Sequence, residues 1–182
     1  MSVRTLVLGG IRSGKSRWAE AAIGASVGAG EPVRYLATGP SAGTDPEFAR
    51  RVAGHRDRRP GHWTTIETSD VAAALSRTPP RPTLVDDLGG WLTAALDRRG
   101  WDGAGPDAEV AALLSAVGGF AAPLMLVSPE VGLSVVPATP AGRLFADELG
   151  TLNQRLAAIC DRVVLVVAGQ AIAVKPAGPE PS

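Results

Sequence analysis

The 182-residue sequence has few of the residues that mark several large classes of protein. Cys160 is its only cysteine, so no disulfide can form within the chain and a reducing compartment is favoured; we expect this thiol to pack as a small apolar side chain. The 18 Lys and Arg are balanced by 18 Asp and Glu, which leaves no net charge to attract nucleic acid. No apolar run approaches the roughly 20 residues of a membrane-spanning helix. We therefore expect a cytoplasmic protein with no membrane span and no nucleic-acid partner.

Glycine, in contrast, is abundant, and the run Gly9–Ser16 places three glycines in a phosphate-binding pattern. The letters GGIRSGKS fit Gly, four residues, Gly-Lys-Ser, with an apolar strand before them and helical spacing after them. The whole run is therefore predicted to bind nucleotide: Gly9, Gly10, Ile11, Arg12, Ser13, Gly14, Lys15 and Ser16. Lys15 would act catalytically by reaching the β- and γ-phosphates, and the Ser16 hydroxyl would bind Mg²⁺. A glycine-rich turn that matches by accident is the alternative.

Strands and helices alternate through the rest of the chain, with short connections. This alternation predicts an α/β fold, namely a P-loop NTPase domain whose mostly parallel sheet carries helices on both faces. Residues 1–175 would form one nucleotide-binding domain and residues 176–182 a disordered tail. Ala171–Val174 would add an antiparallel edge strand. Helix caps are predicted at Asp70, Asp107 and Thr139, with a turn at Gly89-Gly90. A further helix is predicted to have Pro46 at its first position and Thr44 or Asp45 as its cap.

Two acids end the apolar strand that begins at Thr83. In phosphate-loop enzymes an acid at the end of a strand holds Mg²⁺, directly or through water. Asp86 and Asp87 are thus both predicted metal ligands, and Asp86 is also predicted to lie beside the nucleotide. A turn or a helix cap is the alternative role for either carboxylate.

Other strand ends also supply candidates, because ligands of open α/β sheets bind beyond the carboxyl ends of the strands. Thr38 and Gly39 follow a predicted strand over Val33–Ala37, and Glu67 ends a predicted strand that starts at Trp63. All three are predicted to contact nucleotide. Solvated turns would explain the same composition.

One histidine and three arginines fall within the segment His55-Arg56-Asp57-Arg58-Arg59-Pro60. One guanidinium group can bind two phosphate oxygens at once. Arg56, Arg58 and Arg59 are therefore candidate nucleotide ligands around His55. From the residues alone, a solvated basic helix end remains open as the alternative.

The motifs GGIRSGKSRWAE, RVAGHRDRRPGHWTTIE, LVDDLGGWL, EVGLSVVP and RLFADELGTLNQRLAAICDRVVLVVAG resemble one family along Leu6 to Lys175. It is the bifunctional adenosylcobinamide kinase / adenosylcobinamide-phosphate guanylyltransferase family of cobalamin biosynthesis. The resemblance implies a RecA-like sheet, ATP and GTP as substrates with Mg²⁺, and a homotrimer. It also implies that His55, rather than His62, accepts GMP from GTP, with adenosylcobinamide and adenosylcobinamide phosphate as the other substrates.

Two other functions stay open at this stage. One is a P-loop small-molecule kinase of another pathway, in which His55 is only structural. The other is a non-catalytic GTP-binding switch, although the sequence has no Asn-Lys-x-Asp segment to recognise guanine.

Overall fold

The computed structural model of the protein describes residues 3–39 and 59–176, and these residues form one seven-stranded sheet. Its strands are β1 (Arg4–Gly9), β2 (Arg34–Ala37), β3 (Thr64–Glu67), β4 (Thr83–Asp86), β5 (Leu124–Pro129), β6 (Arg162–Val167) and β7 (Gln170–Lys175). The helices of these ranges are α1 (Lys15–Ser26), α2 (Val71–Leu75), α3 (Leu88–Arg98), α4 (Asp107–Gly118) and α5 (Pro140–Ile159).

The strands lie in the order β3-β2-β4-β5-β1-β6-β7, and every neighbouring pair is parallel except β6 and β7. This confirms the predicted mostly parallel sheet and its antiparallel C-terminal edge. Parallel strands end at the same side of a sheet, so the loop after β1 and the acids after β4 share one edge. Only β5 separates these two strands.

The two faces of the sheet are covered by different parts of the chain. Successive strand residues point to opposite faces, so Leu6 packs in one core cluster and Val7 in the other. The first cluster takes buried residues from α2, α3, α4 and α5, and the second takes Ala19 and Ile23 from α1. The strand residues are nearly continuous apolar runs, as expected of a parallel sheet buried on both sides. Helices therefore cover both faces, as predicted.

Helix starts agree with two of the three predicted caps within the described residues. Asp70 accepts a hydrogen bond from the Ala73 amide (2.9 Å), and Thr139 accepts one from the Gly142 amide (3.1 Å). The prediction for Asp107 is wrong by one residue: Pro106 is the cap, without a side-chain hydrogen bond, and Asp107 opens the first turn of α4. Its carboxylate still suits the positive end of the helix.

The predicted turn at Gly89-Gly90 is also wrong. Both glycines lie inside α3, whose cap is Asp87. A Cβ on Gly90 would come 3.1 Å from the Gly39 Cα, so the glycine allows α3 to pack against the chain that follows β2. The sequence signal for a turn here is in fact a signal for close approach of two backbones.

Cys160 is buried, with 1% of its surface exposed, and burial raises the pKa of its thiol to about 12. It therefore packs as an apolar side chain, as predicted. Two other predictions, the helix that begins at Pro46 and the disordered tail, lie outside the described residues, apart from Pro176. Within residues 3–39 and 59–176 no helix is long and apolar enough to cross a membrane.

Candidate active site

The phosphate-loop residues form a tight turn between β1 and α1. Gly14 caps α1 with a φ of 91°, and a Cβ there would lie 3.2 Å from the Gly169 Cα. Gly9 is equally confined, because its Cβ would come 2.8 Å from the Val166 carbonyl oxygen. The Gly169 amide holds the turn by donating to the Ser13 carbonyl (2.8 Å). Gly14 is therefore required by its left-handed backbone conformation, and Gly9 by the lack of space for a side chain.

Lys15 is the first residue of α1, and its ammonium group lies over the loop. Nζ donates a hydrogen bond to the Gly10 carbonyl oxygen at 3.2 Å. The amides at the start of the 12-residue helix α1 and this ammonium group create a positive site at the sheet edge. An anion such as a nucleotide phosphate suits that position.

Ser16 and Asp86 meet across the sheet edge. The Ser16 hydroxyl donates to Asp86 Oδ1 (3.1 Å), and the Tyr35 hydroxyl donates to Asp86 Oδ2 (2.5 Å). Tyr35 is 2% exposed, and burial, followed by the charge of Asp86, raises the pKa of its phenol. The phenol therefore remains a proton donor to the carboxylate, so both Asp86 oxygens have defined partners.

Asp87 has a different environment from its neighbour. Its side chain accepts a hydrogen bond from the Gly90 amide (2.8 Å) and caps α3. Its backbone carbonyl accepts a hydrogen bond from the Thr38 hydroxyl. Burial, and then the charge of Asp86, raise the pKa of the Asp87 carboxyl. The helix-cap alternative left open by the sequence thus describes what the Asp87 side chain does here.

Of the three arginines predicted around His55, only Arg59 lies within the described residues. Its guanidinium carbon lies 3.3 Å from the centre of the Tyr35 ring, and Nη1 donates to the Thr65 hydroxyl (2.8 Å). Nε is 3.9 Å from Glu20 Oε1, and the Arg59 side chain is 8% exposed. Arg59 is therefore packed against β2 and β3. His55, Arg56 and Arg58 lie outside the described residues.

The oxygen atoms at this edge fit a magnesium ion. Mg²⁺ prefers oxygen ligands and is bound in proteins by one or two side chains, with phosphate and water completing its shell. Ser16 and Asp86 supply two such oxygens directly beside Lys15. Within residues 3–39 and 59–176 no group of three or more His, Cys, Asp or Glu side chains forms a metal cluster.

The chain is similar in sequence to one known protein family and to its members. A model of the family described as cobinamide kinase / cobinamide phosphate guanyltransferase matches residues 5–174. The chain belongs to this family. It is 42% identical over 179 residues to the bifunctional adenosylcobalamin biosynthesis protein CobP of Pseudomonas aeruginosa, an alignment that covers 95% of this chain and 98% of the relative. It is also 38% identical over 184 residues to the bifunctional adenosylcobalamin biosynthesis protein CobU of Salmonella typhimurium, over 93% of this chain and 98% of the relative.

As a member of the cobinamide kinase / cobinamide phosphate guanyltransferase family, the protein is a transferase of the P-loop fold. The structure brings together Lys15, Ser16 and Asp86 among the residues predicted from sequence. Thr38 is buried against Asp87, and Gly39 lies beside Gly90. Glu67 ends β3 at the edge of the sheet. Three strands lie between β3 and the phosphate-loop strand β1, namely β2, β4 and β5.

The sequence did not predict that Tyr35 contacts Asp86 in this site. Tyr35 lies in β2 on the same face as Val33 and Ala37, so strand alternation assigns it to the core, where its ring is indeed buried. The available signal was a hydroxyl in a strand that ends at the ligand-binding edge. A buried phenol needs a hydrogen-bond partner, and here the partner is Asp86.

Proposed function

We propose that this protein phosphorylates adenosylcobinamide and then transfers GMP from GTP to the product, giving adenosylcobinamide-GDP. The observation that carries the proposal is the meeting of a phosphate loop with a strand-end carboxylate, Ser16 Oγ to Asp86 Oδ1, in a chain of this family. Its relatives are named bifunctional adenosylcobalamin biosynthesis proteins, which supports two activities on one chain.

In the kinase step, the aminopropanol hydroxyl of adenosylcobinamide attacks the γ-phosphorus of ATP or GTP and the nucleoside diphosphate leaves. The loop amides and Lys15 bind the β- and γ-phosphates and stabilise the charge that develops on them. Ser16 and Asp86 would hold Mg²⁺, which supplies neutralisation of phosphate charge when bound. Catalysis here depends on position and electrostatics, which suits a site made of backbone amides, one lysine and two oxygen side chains.

In the guanylyl step, the imidazole of His55 attacks the α-phosphorus of GTP and pyrophosphate leaves. The resulting phosphoramidate holds GMP on the enzyme. A phosphate oxygen of adenosylcobinamide phosphate then attacks the same phosphorus, the imidazole leaves, and adenosylcobinamide-GDP is formed. Arg56 and Arg58 would offset negative charge around the transferred group. Thr38, Gly39 and Glu67 stay proposed as nucleotide contacts because of their strand-end positions.

We place this activity in the cytoplasm and expect a homotrimer, as the family resemblance implies. Exposed apolar side chains in the segment after β5 support self-association, because Leu133 is 83% and Val135 is 92% exposed in the single chain. Light scattering across a concentration series would measure the assembly.

The decisive experiment is incubation of the protein with α-labelled GTP and Mg²⁺. Acid-labile, base-stable label on the protein, and its transfer to adenosylcobinamide phosphate, are the expected results. Phosphorylation of an acceptor without labelled protein would instead indicate a P-loop kinase of another pathway. Bound GTP that remains unchanged would indicate a non-catalytic switch protein.

A further inference from the structure

Arg59, the first residue of the second described range, is connected through Tyr35 to the carboxylate of Asp86. The Arg59 guanidinium stacks on the Tyr35 ring, and the Tyr35 hydroxyl donates to Asp86 Oδ2. The other Asp86 oxygen, Oδ1, accepts a hydrogen bond from Ser16. We refer to Arg59, Tyr35 and Asp86 as the relay.

We propose that Tyr35 is a positioning residue that fixes the orientation of Asp86, and that Arg59 acts on the nucleotide site through Tyr35. This inference rests on the proposed function, in which Asp86 holds Mg²⁺. It adds a residue that belongs to neither the phosphate loop nor the histidine segment. It also gives Arg59 a different role from the direct phosphate contact that its sequence suggested.

The geometry of Tyr35 favours this role. A carboxylate that binds a metal works best when a second group fixes its orientation, and removal of such a group typically weakens metal binding about 10- to 100-fold. Tyr35 is 2% exposed, and its ring is fixed in the second core cluster with Val7 and Ile23. Its hydroxyl therefore has a constant position relative to β4. The hydrogen bond to Oδ2 leaves Oδ1 directed toward Ser16 and the phosphate loop.

The geometry of Arg59 favours action through Tyr35. Its side chain is 8% exposed, its Nη1 is occupied by Thr65, and its guanidinium covers the Tyr35 ring. A guanidinium over an aromatic face is an attractive contact that gains strength when solvent is excluded. Arg59 is the first residue of the second described range, and its contact with Tyr35 holds that residue close to Asp86.

The test measures metal binding apart from turnover. Mn²⁺ serves as the probe, followed by electron paramagnetic resonance in the complex of the full-length protein with a non-hydrolysable GTP analogue. Affinity for the analogue in EDTA is measured separately. Tyr35→Phe keeps the ring and removes only the hydroxyl, so we expect Mn²⁺ to bind about tenfold more weakly while metal-free nucleotide affinity changes less than twofold.

Thr83→Val is the matched control for the loss of a buried hydroxyl. Thr83 begins β4, the strand that ends in Asp86, is fully buried, and accepts a hydrogen bond from Arg34 Nε (3.2 Å). It should lower the unfolding temperature without changing Mn²⁺ affinity. If Thr83→Val weakens Mn²⁺ binding as much as Tyr35→Phe, or Tyr35→Phe weakens metal-free nucleotide binding equally, the effect is general damage and the proposal is overturned.

Arg59→Met tests the second part of the relay. We expect it to weaken Mn²⁺ binding, and the double variant Tyr35→Phe/Arg59→Met to bind Mn²⁺ no more weakly than Tyr35→Phe alone, because Arg59 acts through the lost hydroxyl. Additive losses would show that Arg59 acts independently, which overturns its place in the relay.

Asp86→Asn separates failure of this inference from failure of the proposed function. If Asp86→Asn weakens Mn²⁺ binding and Tyr35→Phe does not, the positioning role is wrong and the proposed function stands. If Asp86→Asn itself binds Mn²⁺ as the wild type does, the relay has no metal ligand to position and is overturned. The labelled-GTP experiment would still decide the function independently.

Discussion

The Ser16 hydroxyl lies 3.1 Å from Asp86 Oδ1, although 70 positions separate the two residues in the sequence. The contact exists because β1 and β4 run parallel with only β5 between them, so the helix start after one and the acid at the end of the other meet at one edge. The two neighbouring acids therefore have different surroundings: Asp86 meets the Ser16 hydroxyl, whereas the Asp87 side chain caps α3.

We predict that Asp86→Asn raises the Mg²⁺ concentration needed for half-maximal kinase activity by about tenfold or more, because a neutral amide binds a hard cation weakly. Asp87→Asn should shift it less than twofold, since asparagine is also a good helix cap. Asp87→Ala removes the cap and should cost about 1 kcal/mol of unfolding free energy. Magnesium titrations and urea unfolding measure these effects. A shift at Asp87→Asn with none at Asp86→Asn would reverse the two roles.

Lys15→Ala is expected to lower kinase turnover by about 10²–10³-fold, the usual loss when one preorganised donor to transition-state charge is removed. The Lys15 ammonium group donates its hydrogen bond to the exposed Gly10 carbonyl and not to a buried group, so the fold should persist. Steady-state kinetics and circular dichroism together check this. Wild-type turnover in the variant would remove Lys15 from the catalytic site.

Gly9 and Gly10 are adjacent but should respond differently to alanine. A Cβ at Gly9 would lie 2.8 Å from the Val166 carbonyl oxygen, whereas one at Gly10 meets nothing within 4 Å. We expect Gly9→Ala to cost about 1–3 kcal/mol of unfolding free energy and Gly10→Ala to stay within about 0.5 kcal/mol. Urea unfolding without nucleotide gives both values. Equal losses would contradict the packing at the end of β1.

Asp161 should contribute stability that depends on pH. Arg4 donates to it from Nε (3.1 Å), Nη2 (3.0 Å) and its amide (2.8 Å), and these side-chain bonds chiefly lower the pKa of Asp161. A lowered carboxyl pKa stabilises the fold fully above the unfolded value of about 3.9, and the gain disappears as the pH falls through the folded value. Asp161→Asn should therefore cost about 1 kcal/mol at pH 7, discounted for partial exposure, and less near pH 3.

The matched control for Asp161 is the more exposed pair of Arg99 and Asp102, which are 3.5 Å apart. Asp102→Asn should cost no more than about 0.5 kcal/mol at pH 7. Urea unfolding at the two pH values measures both variants. An equal cost of Asp161→Asn at pH 7 and pH 3 would show that the Arg4 contacts do not depend on the carboxylate charge.

Much of the fold could be predicted because local signals and tertiary packing agree. Apolar runs gave the strands to within about two residues, and the caps at Asp70 and Thr139 use their side chains as predicted. The errors at Asp107 and at Gly89-Gly90 have one physical origin. Aspartate and glycine each favour several local conformations, and packing against the rest of the chain selects among them.

The site could be predicted where one segment carries the chemistry and not where distant segments combine. The phosphate loop and the strand-end acids are local patterns, and the structure brings Ser16 of the loop next to Asp86. Tyr35 and Asn153 were not assigned a partner, because an alternating or helical pattern describes burial and not hydrogen bonding. Asn153 is buried in α5, where it accepts from the Ser128 hydroxyl (2.6 Å) and donates to the Pro129 carbonyl (3.1 Å) at the end of β5.

The two proposed activities should separate at the histidines. Kinase chemistry needs the phosphate loop and a positioned hydroxyl, whereas guanylyl transfer needs a nucleophile that is neutral near pH 7 and can leave again. His55→Ala should therefore form adenosylcobinamide phosphate and stop there, with no protein-bound GMP. His62 is exposed next to Trp63, so His62→Ala is the control and should keep both steps. Chromatography of the products with GTP as sole nucleotide, and mass spectrometry of the intact chain, measure both outcomes. A GMP adduct that persists without His55, or is lost only without His62, would show that the nucleophile is a different residue.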